Sequence, residues 1–184
     1  MKKLILTSCF LLAGATSIFA QKYMTRTGKI SFSATAPKSP EKIEAVNNEV
    51  ANILDAKTGD IVFQVLIKSF KFERELMKEH FDENYMESDK FPKSEFKGNV
   101  TDIAQVNFAK DGTYNVKVSG KLTMHGVTKE VAVPGTLTVS GKNVTAKAKF
   151  VAVLKDYGIT VPALVADKLS KEATITLEST LTQK

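Results

Sequence analysis

Tyr114, Val116, Val118, Gly120, Leu122 and Met124 alternate with Asn115, Lys117, Ser119, Lys121 and Thr123. Side chains on an extended chain point to opposite faces in turn, so this period of two predicts a β-strand with one wet face. The pattern returns at Val131, Val133, Gly135, Leu137 and Val139, then at Val144, Ala146, Ala148 and Phe150. A fourth run carries Ala173, Ile175, Leu177 and Leu181. Lys, Thr and Glu fill the intervening positions. Asp111-Gly112 and Ser140-Gly141 sit between the runs, where hairpin turns need positive φ. The second half of the chain therefore predicts an antiparallel meander.

The first half gives four more strands. Ile30, Phe32 and Ala34 alternate before a Pro37 to Pro40 turn. Residues 42–54 change phase near Asn47-Asn48, which predicts a bulge. Ile61 to Ile67 is apolar on both phases and leaves its inward face open, and Phe96 to Ile103 follows. No internal repeat or low-complexity linker divides the chain, so one domain accounts for residues 21–184.

Residues 73–86 break the β pattern. Leu76, Met77, His80, Phe81 and Tyr85 fall close to one helical face, with Glu73, Glu75, Glu79, Asp82 and Glu83 largely elsewhere. That spacing predicts an amphipathic helix of about four turns inserted between strands. Phe91-Pro92 then forces an extended exit. Eight strands and one such helix suit an all-β fold: an antiparallel barrel with a plug or lid, closed so that no sheet edge is exposed.

Periodicity does not say which face of the barrel is apolar. An outer-membrane barrel is apolar outside and a lipocalin-like barrel inside. The strands lack aromatic girdles, the chain ends Thr182-Gln183-Lys184, and the acidic helix suits a water-facing cap. All three favour the lipocalin-like form.

Composition adds a compartment. The chain has 184 residues, one Cys, two His and a net charge of +6. Lys2 and Lys3, the apolar run Leu4 to Leu12 and the small residues up to Ala20 form a secretory signal peptide over residues 1–20. Cleavage after Ala20 starts the mature chain at Gln21. The lipoprotein-box reading of Leu6 to Cys9 is disfavoured, because only eight residues precede Cys9 and the apolar run continues past it. The exported domain then holds no Cys and must stand on its core alone. Residues 73–90 carry seven acids and three bases, so the remainder is basic. That excess is compatible with transient contact at an anionic lipid surface, although a solvated exterior explains it as well.

Catalytic and metal signatures are weak. His80 with Glu83 or Asn84 has helical spacing for a metal but no Cys partner and one other His in the chain. His125, before Gly126 in a turn, reads as a structural hydrogen-bonder. No nucleophile elbow, phosphate loop, dinucleotide fingerprint or CxxC pair occurs. No enzyme, cofactor, metal or nucleic-acid partner is expected. Asn99-Val100-Thr101 and Asn143-Val144-Thr145 match the glycosylation triplet, which is short enough to arise by chance.

Two longer motifs carry a resemblance. The run Glu79 to Phe96, in which a His-led helix leads into Phe91-Pro92 and then the strand residue Phe96, resembles the central signature of the YceI-like family. Leu122-Thr123-Met124-His125-Gly126-Val127-Thr128-Lys129 resembles its second signature, and Asp156-Tyr157-Gly158-Ile159 with the last strand its C-terminal part. The resemblance spans essentially all of residues 21–184. It implies an eight-stranded lipocalin-like barrel in the bacterial periplasm, holding a polyisoprenoid or similar amphiphile for transport, storage or sequestration, without enzymatic activity. Two departures touch the helix. The Arg-Asp pair usual before its His is replaced by Met77-Lys78, and the stretch between His80 and Pro92 is one residue shorter.

The residues themselves leave a hollow and a packed interior equally open, since eight strands enclose either side chains alone or one small ligand. Gly120, Gly135, Ala146 and Ala148 are small inward positions, which Phe32, Phe63, Phe96 and Phe150 either fill or leave as space. Val118, Leu122 and Met124 share one phase of the clearest strand, and Met77, Phe81 and Tyr85 share the apolar face of the helix. With Val65, these phenylalanines, strand residues and helix residues are the candidate lining of a cavity for an apolar tail. The competing reading is a structural or stress-related protein with a packed barrel and no ligand. Oligomeric state stays open, a homodimer included.

Overall fold

The computed structural model describes residues 21–184. The signal peptide expected over residues 1–20, with Cys9, lies outside the described residues. The strands are β1 (Lys22–Thr35), β2 (Glu44–Asp55), β3 (Asp60–Leu66), β4 (Lys71–Phe72), β5 (Lys93–Val100), β6 (Gly112–Met124), β7 (Val127–Ser140), β8 (Asn143–Val153) and β9 (Leu169–Gln183). A helix, α1 (Glu75–His80), precedes β5. All pairings are antiparallel, and β9 and β2 both pair with β1. The barrel therefore closes as β1-β2-β3-β5-β6-β7-β8-β9, an eight-stranded lipocalin-like wall. The ninth strand, β4, is a two-residue bridge to Ala45 and Val46 of β2.

That bridge shortens the predicted helix. Lys71 and Phe72 are held extended by β2, and Arg74 is still extended at the helix N-cap, so α1 starts at Glu75 rather than residue 73. Its continuation, Phe81–Tyr85, is a wide π turn in which the Met86 N–H donates to the Phe81 carbonyl at 2.8 Å. Lid and exit are otherwise as the spacing predicts.

The bulge in β2 has a side-chain cause. Ala45 and Asn47 are buried, Asn48 and Glu49 are both exposed, and burial resumes at Val50, Asn52 and Leu54. Fully buried Asn47 donates from Nδ2 to the Leu66 carbonyl at 2.9 Å and accepts the Glu49 N–H on Oδ1 at 2.8 Å. Its amide thus holds both sides of the phase change. Asn47→Ala leaves two backbone groups without these partners, and a loss of about 1–3 kcal/mol is expected in urea unfolding. An unchanged midpoint would show that the bulge is set elsewhere.

Of the two expected turns, the one at Ser140-Gly141 holds with a shift of one residue, and the other needs correction. The β7–β8 hairpin turns at Gly141-Lys142, with Gly141 at φ 56°. Asp111-Gly112 is not a hairpin turn: it ends the 101–111 loop, and its role is carried by the Asp111 carboxylate, which accepts the Gly141 N–H at 2.8 Å. Gly120 is also misplaced as a source of interior space. It faces Gly98 of β5, and a Cβ there would stand 2.3 Å from the Lys97 carbonyl oxygen. The glycine pair lets two strands approach where a side chain would clash, and the Phe96 ring covers Gly98.

One end of the barrel is packed solid. Leu54, Val100, Val144 and Leu181 are fully buried, and Tyr23 stacks on Phe108 of the 101–111 loop at 5.5 Å. Burying a leucine fully contributes roughly 1.5–3 kcal/mol, so this layer anchors the fold. The inward phase of β3, undecided by the sequence, is Ile61, Phe63 and Val65, while Leu66 is exposed on the outer wall.

Candidate functional site: a lidded apolar cavity

Above the packed layer the barrel is hollow. A cavity of ≈ 490 Å³ runs from Leu137 and Ala146 up to the lid formed by α1 and the π turn. Its wall is almost wholly apolar. The structure brings all eleven candidate residues to it: Phe32, Phe63, Val65, Phe96, Val118, Leu122, Met124 and Phe150 from the strands, and Met77, Phe81 and Tyr85 from the lid. Gly135, Ala146 and Ala148 also line it, as their small size predicts. The four phenylalanines of the strands narrow the space without filling it.

Several lining residues escape the sequence pattern. Phe70 caps the 3₁₀ turn Ile67–Ser69, and Ile159 and Val165 lie in the loop after β8. Such segments carry no period to read. Ser94 is one of the few polar lining residues, and its buried hydroxyl makes no hydrogen bond to the protein.

The lid is held by one aromatic anchor and by ties at each end. Phe81 stacks on Phe32 at 5.4 Å and meets Phe70 edge-on at 5.4 Å and Phe72 at 5.0 Å. At the start of the lid, Arg74 pairs with Glu41, which also lies 3.7 Å from Lys168. These three residues line the cavity where it reaches solvent. Within the lid, Lys78 pairs with Asp82 one turn on. Beyond it, Lys68 donates to Asp89 at 2.5 Å. That hydrogen bond, reinforced by opposite charge, raises the Lys68 pKa and lowers that of Asp89. Both are exposed, so the pair adds little stability.

His125 is a hydrogen-bonding residue of the turn. Its Nδ1 lies 3.0 Å from the Tyr157 carbonyl and its Nε2 2.8 Å from Glu87 Oε2. Phe91 packs edge-on against the ring at 4.8 Å. His80 lines the cavity, and among the described residues no cluster of three potential ligands could hold a metal. Among the described residues, no helix is long and apolar enough to cross a membrane.

Comparison with known proteins agrees with this geometry. A polyisoprenoid binding domain from Saccharophagus degradans, implicated in plant cell wall breakdown, has a similar fold. The TM-score is 0.76 at 13% identity, covering 89% of this chain and 98% of that one. BcnA from Burkholderia cenocepacia is similar at a TM-score of 0.67 and 16% identity, over 84% of this chain and 96% of that one. A YCEI protein from Campylobacter jejuni gives 0.50 at 15% identity, over 72% and 80% of the two chains. No curated protein sequence matches closely enough to count as a relative. The YceI-like domain family matches residues 16–181. With that span added to the closed barrel and its lidded cavity, the chain belongs to the YceI-like domain family.

Proposed function

We propose that this chain is an exported lipid-binding barrel that holds a polyisoprenoid or similar long-chain amphiphile, tail inward, in the periplasm. Transport, storage or sequestration of that lipid is the proposed role. The observation that carries the reading is the lidded cavity of ≈ 490 Å³, whose wall is almost wholly apolar. Its size falls in the range of small-molecule sites. Burial of an alkyl tail contributes about 0.8 kcal/mol per methylene, so affinity needs no charged contact inside. The polyisoprenoid binding named for the Saccharophagus degradans domain supports the choice of ligand class. No step in this reading requires catalysis.

Mass spectrometry of an organic extract from the natively purified protein tests it. The expected result is a long-chain isoprenoid in roughly stoichiometric amount. A protein that carries no extractable lipid, and that fails to take up added polyprenol, would refute the proposal.

A further inference from the structure

The β6–β7 hairpin turns through His125 and Gly126, at φ 50° and 74°. A two-residue turn with both residues at positive φ is best filled by Asn-Gly. Histidine is among the non-glycine residues that enter this region, and here its ring is engaged at both nitrogens. Glu87, at the end of the lid, is the other non-glycine residue at positive φ among the described residues, with φ 43°. These two strained residues meet through their side chains at 2.8 Å.

Both ring nitrogens of His125 face acceptors: the Tyr157 carbonyl at Nδ1 and the Glu87 carboxylate at Nε2. A neutral imidazole carries one N–H. Whichever nitrogen holds it, the other presents a lone pair to an oxygen. Only the doubly protonated ring donates to both. We propose that His125 and Glu87 form a proton-operated clasp that positions the lid, closed when the imidazole carries two protons and loosened when it carries one.

The clasp ties three segments together. Glu87 directly follows Met86, a buried residue of the cavity wall, and Tyr157 belongs to the same apolar cluster. Losing either contact therefore loosens the attachment of the last turn of the lid. The other charged and titratable groups around the ring are few. Lys90 lies 4.0 Å from Glu87 and over the Phe91 ring, and competes for the carboxylate. Asp156 adjoins Tyr157, whose hydroxyl pKa is raised by burial and then by Asp156, so that hydroxyl stays neutral. The neighbouring Lys68–Asp89 pair keeps its charges, Lys68 being held up and Asp89 held down. Histidine is the residue type that titrates between pH 5 and 8. Protonation rises as pH falls, so the clasp tightens toward acid and loosens toward alkali.

Backbone amide exchange at Met86 and Ser88, at pH 6 and pH 8, tests this without any ligand. Rates are referred to intrinsic exchange and to core amides such as Leu137. The expected result is a loss of protection of roughly three- to tenfold on going to pH 8, modest because Glu87 is partly exposed. Glu87→Gln is the diagnostic variant. Its amide can accept from the imidazolium or donate to the lone pair of the neutral ring, so protection should stay the same at both values. His125→Asn keeps a turn-compatible residue and should give low protection at both. The same pH contrast in wild type and Glu87→Gln would overturn the clasp, as would a wild type with no contrast.

The consequence for ligand release rests on the lipid-binding reading. Dissociation of the apolar fluorophore N-phenyl-naphthylamine should follow the lid amides, faster at pH 8 in wild type and independent of pH in Glu87→Gln. Exchange that behaves as expected in a protein that never binds the fluorophore supports the clasp and counts against the lipid reading alone.

Discussion

Phe81→Ala should cost about 2–3 kcal/mol of stability and detach the lid from the barrel. Removing a fully buried phenylalanine costs about 3–5 kcal/mol, and Phe81 is only partly buried, which lowers the figure. Its ring is the shared contact of Phe32, Phe70 and Phe72, at centroid distances between 5.0 and 5.4 Å. No residue from Glu75 to Tyr85 is fully buried. A lid so thinly attached depends on its one aromatic hub more than on its ion pairs, which are mostly solvent-facing. Urea unfolding should show the loss, and amides of residues 75–86 should exchange much faster. Any lipid carried by the parent should be retained less. Phe81→Leu keeps much of the apolar contact and should fall between. A Phe81→Ala protein with unchanged midpoint and unchanged lid exchange would show that the terminal ties, not the ring cluster, hold the lid.

The barrel wall was legible because one face is wet. Alternation in β6 to β9 follows from an apolar inside and a polar outside, broken at the end of β8, where Val151 and Val153 are apolar and exposed. Where the outer face is also apolar, as at Val62 and Leu66 in β3, the same logic cannot choose a side. The start of the lid was hidden for a different reason. Nothing local to Lys71 and Phe72 says that β2 will capture them, and that capture sets where α1 begins. Gly120 shows the limit of reading size alone: a small residue marks either spare volume or close backbone approach, and Gly98 across the ladder decides for approach. The His125–Glu87 contact joins residues 38 apart in sequence. Its one sequence trace is a histidine where a tight turn prefers asparagine. Whether eight strands enclose space depends on how the wall coils, which no alternation pattern reports.

Leu122→Phe should leave the protein about as stable as its parent while abolishing or shortening the bound chain. Leu122 projects from β6 into the cavity, opposite Phe96 of β5 and below the lid. In a filled core, the extra ring volume would force off-rotamer neighbours and cost about 1–3 kcal/mol. Here ≈ 490 Å³ of free space lies next to the side chain, so the ring can occupy volume that no protein atom holds. The expected change is below about 1 kcal/mol, a shift in midpoint of no more than roughly 2–4 °C. The volume it takes is volume a tail would have used. Lipid extracts of the variant should therefore contain less lipid, or shorter chains. Lys121→Ala, on the exposed face of the same strand, is the control and should change neither quantity. The stability readout separates a hollow barrel from one that closes on itself in solution, because only the closed form resists the added ring. A strongly destabilised Leu122→Phe protein, from a parent that yields no lipid, would mean that the cavity collapses and that the barrel works as a packed structural domain.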